Sequence, residues 1–302
     1  MPYYFLNNIV GLSDNMPDLW NKEDEKNFFL ETLNNVSRDS LFYSTDDGRL
    51  VAYWEKIYTG QRYTLQSRNS HIGTFTEKWF SQLIQEYARS KGLFSLHKVR
   101  CNELSLTKSS PGDVVICKKN SINQNPGDIV AIFEVKMSIV WNWENINGNL
   151  IELGDYTTHR GNPSLLRSDT MLKAIGKCVN IRLSCPEASK IPIIVIGNTP
   201  ITRSYLSKVD YLRKCGIIQG FWSVNPNPNN SSNTLKYTRE KGFYRMETYN
   251  ELLSHLDGIL NQDLSFFSSM KSKEEIGRIL SIAYQETELE HKAQKFLELL
   301  RE

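Results

Sequence analysis

The fold of this chain is decided by PGDVVIC (111–117) and DIVAIFEVK (128–136). Both stretches are rich in β-branched residues, and the polar link between them (118–127) closes with Pro-Gly, so the pattern predicts a β-hairpin. Residues 129–133 of the second stretch are apolar without interruption, which is typical of a strand buried on both faces. Glu134 and Lys136 at the end of such a strand therefore need a functional explanation, and a charged surface face of the strand is the alternative.

The geometry of a hairpin places Asp113 beside Glu134. Paired residues of an antiparallel hairpin have numbers with a constant sum, and a loop centred between 123 and 124 sets Asp113 opposite Glu134, with Cα atoms roughly 4.5–5.5 Å apart. Two carboxylates so close repel each other unless a divalent cation binds both, and Mg²⁺ takes such oxygens while keeping several waters. Lys136 projects to the same face as Glu134, where it can position or activate a water.

Helical patterns stand on both sides of the hairpin. Apolar residues recur at helical spacing over 74–90, and Thr74 with Glu77 three residues later has the form of a capping box. A second helix is predicted over 168–182, followed by a short buried strand over 191–196. This order predicts an α/β fold with a mixed central β-sheet flanked by helices.

The other predicted elements are less distinct. Irregular structure is expected between the hairpin and the helix over 168–182. The remaining predictions are a helix over 18–33, a turn at 46–48 before a strand over 50–54, a helix over 202–214, a strand over 217–223, a loop over 225–233, and helices over 246–260 and 274–300.

The hairpin motif resembles that of a known superfamily. PGD (111–113) followed by EVK (134–136) at the end of an apolar strand is similar to the motif of the PD-(D/E)XK nucleases, which have the restriction-endonuclease-like fold. The helix, hairpin, helix and strand order agrees over 73–223, roughly half of the chain. The pattern departs at Gly112, which separates the proline from the aspartate.

The resemblance implies metal-dependent hydrolysis of a phosphodiester. It implies Asp113 and Glu134 as ligands of Mg²⁺ and Lys136 as the residue that positions or activates the attacking water. In that family the helix before the hairpin often carries a further acidic residue, and Glu77 fits this place as a metal ligand or a neighbour of one. A capping residue or a solvated helix position is the alternative for Glu77.

Charge is distributed unevenly, although the chain as a whole carries only +2. Residues 1–60 carry 5 basic and 10 acidic side chains, and residues 247–302 carry 6 and 11. The middle, 61–246, holds 25 basic and 13 acidic side chains, net +12, and within it 203–245 has eight basic residues against two acidic ones. A basic middle is a candidate nucleic-acid surface, and a solvated Lys/Arg surface is the alternative.

Five basic residues are candidate DNA contacts: Lys173, Lys177, Arg203, Lys236 and Arg239. The first two lie one turn apart on the predicted helix, opposite an apolar face that contains Leu172 and Val179, so a solvated helix face is equally consistent. The aromatic pair Trp141 and Trp143 could wedge DNA, but core packing is the better interpretation. The Asn-rich loop and the basic residues after it (225–237) could supply base-edge contacts, since Asn reads adenine; an ordinary loop is the alternative.

We expect one catalytic core with additions at both ends. The predicted bounds are 1–70 for an N-terminal addition packed on the core, 71–223 for the catalytic core, and 224–302 for a loop and helical addition used in DNA recognition or dimerisation. Among the nucleases, a chain of about this size with large additions most resembles a type II restriction endonuclease. This implies sequence-specific cleavage of double-stranded DNA, a homodimer on palindromic sites, and a separate DNA methyltransferase in the host.

Two other functions remain open. One is a repair or structure-specific nuclease of the same fold, and the other is a non-catalytic DNA-binding protein. We expect a cytoplasmic protein of a prokaryotic host: the five cysteines have no metal-like spacing and are interpreted as reduced thiols, residues 1–12 show no secretory signal, and no segment approaches the ~20 apolar residues of a membrane span.

Overall fold

The computed structural model describes residues 16–231, 234–262, 264, 266 and 271–301. Residues 1–12, for which no secretory signal was expected, lie outside this described part. Strands within the described part are β1 Tyr43–Ser44, β2 Leu50–Val51, β3 Phe94–Val99, β4 Gly112–Cys117, β5 Ile129–Val135, β6 Asn142–Ile146, β7 Asn149–Gly154, β8 Ile193–Gly197, β9 Gly220–Ser223 and β10 Phe243–Arg245. Helices there are α1 Lys22–Leu33, α2 Gln66–Leu83, α3 Gln85–Ser90, α4 Ser168–Arg182, α5 Leu206–Lys214, α6 Tyr249–Leu260, α7 Lys273–Ala283 and α8 Leu289–Arg301.

A six-stranded mixed sheet organises the chain, in the order β10-β9-β8-β5-β4-β3. The strands β10, β9, β8 and β5 run parallel, and β4 runs antiparallel to both of its neighbours. One face packs against α1, α2, α3 and α6, and the other against α4 and α5. This confirms the predicted α/β class with a mixed central sheet flanked by helices. The domain bounds stay a prediction, and β10 adds a strand from beyond residue 223.

The central hairpin has the register that the sequence predicts. Val114 pairs with Phe133, and Val115 with Ile132, so the residue numbers of each pair have the same sum as those of Asp113 and Glu134. The register slips by one residue only at the far end, where Cys117 pairs with Ile129. Every residue of β4 is buried, as is nearly all of β5, because alternate side chains enter the two opposite cores.

A second, four-stranded antiparallel sheet has the order β1-β2-β6-β7. The prediction of irregular structure was wrong for β6 and β7, which form a hairpin around Asn147 and Gly148. Both turn residues have positive φ, 52° and 94°, the conformation that an Asn-Gly turn adopts readily. Trp141 and Trp143 are each 1% exposed, which supports core packing rather than a DNA wedge.

The start of α2 corrects the predicted helix over 74–90. The helix begins at Gln66, so Thr74 lies inside it and forms no capping box with Glu77. Arg68, Ile72 and Thr76 supply buried positions at a spacing of four residues, and two of these three are polar, so hydrophobic periodicity alone misses the first turns. The helix also breaks at Ile84, before α3.

Several other boundaries differ from prediction. The first helix begins at Lys22 behind an Asn21 cap, α6 begins behind a Thr248 cap, and the predicted helix over 274–300 is two helices separated by 284–288. The predicted helix over 202–214 opens with a 3₁₀ turn at Arg203–Tyr205. None of the described helices has the length and apolar character needed to cross a bilayer.

Candidate functional site

The ends of two adjacent central strands bring Asp113 and Glu134 together. Asp113 is the second residue of β4, and Glu134 is the last but one of β5. Both side chains are buried, with 11% and 2% of their surface exposed. Oδ2 of Asp113 accepts a hydrogen bond of 2.9 Å from the backbone N–H of Val135, which fixes the Asp113 carboxylate against the end of β5.

Two lysines close these carboxylates into a ring of four charges. Nζ of Lys136 lies 2.5 Å from Oε1 of Glu134 and 3.3 Å from Oδ2 of Asp113. Nζ of Lys177 lies 2.6 Å from Oδ1 of Asp113 and 2.7 Å from Oε2 of Glu134. Each ammonium group therefore bridges both carboxylates, and the ring carries no net charge when all four groups are ionised. We call Asp113, Glu134, Lys136 and Lys177 the charge ring.

The place of Lys177 corrects the predicted apolar face of α4. That face was expected to contain Leu172, which is 64% exposed. Met171 and Cys178 of the predicted face are buried as expected, but the buried face extends to Ala174 and Ile181, so it is rotated toward the side that carries Lys177. Lys177 lies about 40° from Ile181 around the helix axis, at roughly 100° per residue. It therefore points into the site and not to solvent, while Lys173 stays at the surface beside Asp169.

The charges and the burial of the charge ring shift the pKa values of its two carboxylates in opposite directions. Burial acts to raise the pKa of Asp113, but Lys136 and Lys177 outweigh it and hold that pKa below its usual value. Burial and the nearby charge of Asp113 together raise the pKa of Glu134. For Lys136, burial acts to lower the pKa, but Glu134 and Asp113 raise it above the usual value. Lys136 is therefore an ammonium group at neutral pH in this arrangement.

Glu77 lies on α2, close enough to the charge ring for Asp113, Lys136 and Lys177 to influence its pKa. Burial raises its pKa to about 7, and the charge of Asp113 adds to this effect. Lys98 is the largest of the opposing contributions, ahead of Lys136 and Lys177. Glu77 is therefore an acid whose pKa is influenced by the charges of the ring, and it is not a helix-capping residue.

Lys98 is a neighbour of the site that the sequence did not indicate. It lies in β3 between the pairs His97–Val114 and Val99–Gly112, which places it across from Asp113 on the other side of β4. Its φ is 57°, a left-handed conformation that costs a non-glycine residue of order 1–3 kcal/mol. Neither hydrophobic periodicity nor a motif marks this position.

The remaining candidate DNA contacts lie outside the charge ring. Lys173 has 72% and Arg239 has 92% of its side chain exposed. Arg203 is exposed as well. Lys236 is paired with Glu247 at 2.6 Å and with Glu251 at 3.1 Å. Of the five candidates, only Lys177 joins Asp113 and Glu134.

The donor set suits a divalent cation that keeps part of its water shell. Oε2 of Glu134 is buried and accepts no hydrogen bond, because the contact with Lys177 is close but poorly aligned. A buried carboxylate oxygen that is paired with a cation but has no aligned hydrogen bond, next to a second carboxylate, suits Mg²⁺, which binds through one or two protein ligands and several waters. Within the described residues, no three His, Cys, Asp or Glu side chains form a complete metal cage. The fit therefore rests on two protein ligands, Asp113 and Glu134.

Comparison with known proteins adds nothing to this geometry. No family model, curated protein or solved structure matches the chain.

Proposed function

We propose that this chain is a Mg²⁺-dependent endonuclease of double-stranded DNA, with a PD-(D/E)XK site and the specificity of a type II restriction enzyme. The observation that carries the proposal is the meeting of Asp113 and Glu134 at the ends of adjacent antiparallel strands, with Nζ of Lys136 in contact with both. These are the three residues that the resemblance to the motif implies, and the pairing register of the hairpin supports their meeting.

The order of the surrounding elements supports the same proposal. Helix α2 precedes the hairpin of β4 and β5, and helix α4 and strand β8 follow it. This is the helix, hairpin, helix and strand order expected of a restriction-endonuclease-like core. The departure at Gly112 has a local cause: a Cβ there would lie 2.7 Å from Cγ2 of Val115 and 3.3 Å from Cδ1 of Leu106. A residue without a Cβ therefore fits at position 112, where β4 begins against the side chains of Val115 and Leu106.

A purely structural role accounts poorly for the charge ring. Taking four ionised groups out of water costs about as much as their attraction returns, and well-packed apolar residues often stabilise a core as well or better. A site that must hold a cation and a phosphate, in contrast, needs buried carboxylates with balancing positive charge. The charge ring therefore favours function over stability as its explanation.

In the proposed mechanism, water attacks the phosphodiester in line and the chain's own residues position the reactants. Asp113 and Glu134 would hold Mg²⁺, which when bound lowers the pKa of a water and offsets charge on the phosphate. The hydrogen bond from Val135 N–H keeps the Asp113 carboxylate in place. Lys136, whose Nζ contacts both carboxylates, would position or activate the attacking water and offset the developing charge.

A gel of cleaved DNA tests the proposal. Purified protein is incubated with phage-length duplex DNA in Mg²⁺ or in EDTA. Discrete bands that need Mg²⁺ support a site-specific endonuclease. A smear would instead favour the non-specific or structure-specific nuclease. DNA binding without cleavage, on several substrates and with Mn²⁺ as well, would favour the non-catalytic protein.

A homodimer in solution belongs to the same proposal, because palindromic sites match two-fold protein symmetry. The C-terminal helices are the candidate contact surface. Leu280, Tyr284 and Leu289 on and between α7 and α8 are 51%, 77% and 81% exposed. Light scattering of the full chain should give about twice the 34.9 kDa of one chain. A cytoplasmic location in a prokaryotic host, with a separate methyltransferase that protects host DNA, would follow from restriction activity.

A further inference from the structure

We propose that Lys177 is a displaceable counterion: its ammonium group holds the metal position between Asp113 and Glu134 and leaves that position when a divalent cation binds. The inference rests on the proposed function, since it concerns the same two carboxylates. Lys177 lies outside the hairpin motif, and its displacement would make the net charge of the site depend on whether a metal ion is bound.

The contacts of Lys177 coincide with those that a metal needs. Its Nζ lies 2.6 Å from Oδ1 of Asp113 and 2.7 Å from Oε2 of Glu134, so it spans one oxygen of each carboxylate. Mg²⁺ binds oxygen at 2.0–2.1 Å. A cation bound to those two oxygens would overlap the ammonium group or lie next to it in a buried site. The two positive charges therefore compete for one position.

Lys136 is held more firmly than Lys177. Nζ of Lys136 also donates a hydrogen bond of 3.1 Å to the carbonyl oxygen of Val135, so the backbone of β5 retains it. Among the described residues, Lys177 Nζ has only the two carboxylates as partners. The two side chains are exposed to about the same degree, 20% for Lys177 and 23% for Lys136, so the hydrogen bond to the Val135 carbonyl is what distinguishes them. Lys177 is the ammonium group that metal can displace.

The exchange changes the charge that a phosphate meets. Two carboxylates and two ammonium groups sum to zero, so the metal-free charge ring has no net attraction for an anion. With a divalent cation in place of Lys177, the two carboxylates, Lys136 and the cation sum to +1, and the released ammonium group adds a further positive charge nearby. The site would attract a DNA phosphate only after it has bound metal.

Binding of Mn²⁺ in the absence of DNA tests the competition without any cleavage readout. Calorimetric or spin-resonance titrations compare wild type, Lys177→Met, Lys173→Met and Asp113→Asn. Lys173→Met is the matched control, because it removes a lysine one turn away on the same helix whose partner in the described part of the chain is Asp169. We expect Lys177→Met to bind Mn²⁺ about tenfold or more tightly than wild type, Lys173→Met to equal wild type, and Asp113→Asn to lose the site.

A second measurement uses the wild-type protein alone, in case Lys177→Met does not fold. Lysine acylation followed by peptide mass spectrometry is compared in EDTA and in Mn²⁺. Lys177 should be protected in EDTA and react several-fold faster in Mn²⁺. Lys136 should stay protected in both conditions, and Lys173 should react in both.

The outcomes separate the two proposals. If Mn²⁺ binds at an Asp113-dependent site with equal or lower affinity in Lys177→Met, or if Lys177 stays protected with metal bound, the displacement is wrong and the metal site stands. If no Asp113-dependent Mn²⁺ binding occurs in any variant, the metal site fails, and the displacement fails with it.

Discussion

The carboxylate of Asp113 is fastened to the neighbouring strand by the backbone of Val135, whose N–H donates to Oδ2 over 2.9 Å. Val135 stands between Glu134 and Lys136, so this one hydrogen bond sets Asp113 against both residues. The same oxygen also accepts from Nζ of Lys136 at 3.3 Å. Position 113 therefore has an architectural role as well as a proposed metal-binding role, and the two can be separated by substitution.

The architectural role predicts different stabilities for two substitutions of Asp113. Asp113→Asn keeps an oxygen that can accept from Val135 N–H, whereas Asp113→Ala leaves that buried donor without a partner. We expect the alanine variant to have a free energy of unfolding about 1–3 kcal/mol below that of the asparagine variant. Urea denaturation in EDTA measures both. Equal stabilities would show that the hydrogen bond contributes nothing.

The contacts of Lys136 Nζ with both carboxylates predict that removing this side chain slows cleavage rather than weakening DNA binding. Lys136→Met should slow single-turnover cleavage about 10²–10³-fold, the effect of removing one preorganised donor, while DNA affinity changes little. The matched control is Lys119→Met, because Lys119 pairs with Asp128 in the loop of the same hairpin and is exposed. A variant at Lys136 that cleaves at the wild-type rate would remove this residue from the mechanism.

Glu25 predicts a pH dependence of stability that is unrelated to the charge ring. Its carboxylate is fully buried and accepts from four N–H groups, those of Val140 and Trp141 in the backbone and of the Trp20 and Trp143 side chains. Burial nevertheless raises its pKa from the ordinary 4.5 to about 8.

The sign follows from proton binding. Between about pH 4.5 and pH 8 the folded state holds this proton more tightly than the unfolded state, so the free energy of unfolding falls as the pH rises, by up to about 1.4 kcal/mol per pH unit. Denaturation of wild type and Glu25→Gln from pH 5 to pH 9 measures the slope. The wild type should lose more stability than the variant across this window, and parallel curves would contradict the raised pKa.

Two glycines predict opposite effects of the same substitution. Gly176 lies in α4, and an added Cβ would meet nothing within 4 Å, so Gly176→Ala should stabilise the fold by about 0.5–1 kcal/mol. At Gly242 the added Cβ would lie 2.4 Å from backbone atoms of Val209, so Gly242→Ala should destabilise it by more than about 1 kcal/mol. Thermal or urea unfolding compares them, and effects of the same sign would count against the described packing.

The central hairpin was predictable from sequence because the hydrophobic pattern of its strands and the position of its loop indicate the same pairing register. A slip of one residue would turn every side chain of β5 to the other core, so the register is strongly determined. From that register the meeting of Asp113 and Glu134 follows directly. The Asn147-Gly148 hairpin carried an equally local signal that the prediction overlooked.

Other parts of the site depend on packing that no local pattern reveals. The orientation of α4 is set by Ala174 and Ile181 against the sheet, while the more conspicuous Leu172 faces solvent, so Lys177 was assigned to the wrong side. The left-handed Lys98 arises from how β3 meets β4. Tertiary contacts determine both positions, and these contacts cannot be inferred from hydrophobic periodicity.

The most direct measurement is Mg²⁺-dependent cleavage by three proteins: wild type, Asp113→Asn and Asp128→Asn. Asp128 is the matched control, because it also follows Pro-Gly on the same hairpin but pairs with Lys119, far along β5 from Glu134. We expect discrete fragments from wild type and Asp128→Asn, and none from Asp113→Asn although it still folds and binds DNA. Cleavage by Asp113→Asn at the wild-type rate would contradict the assignment of the site.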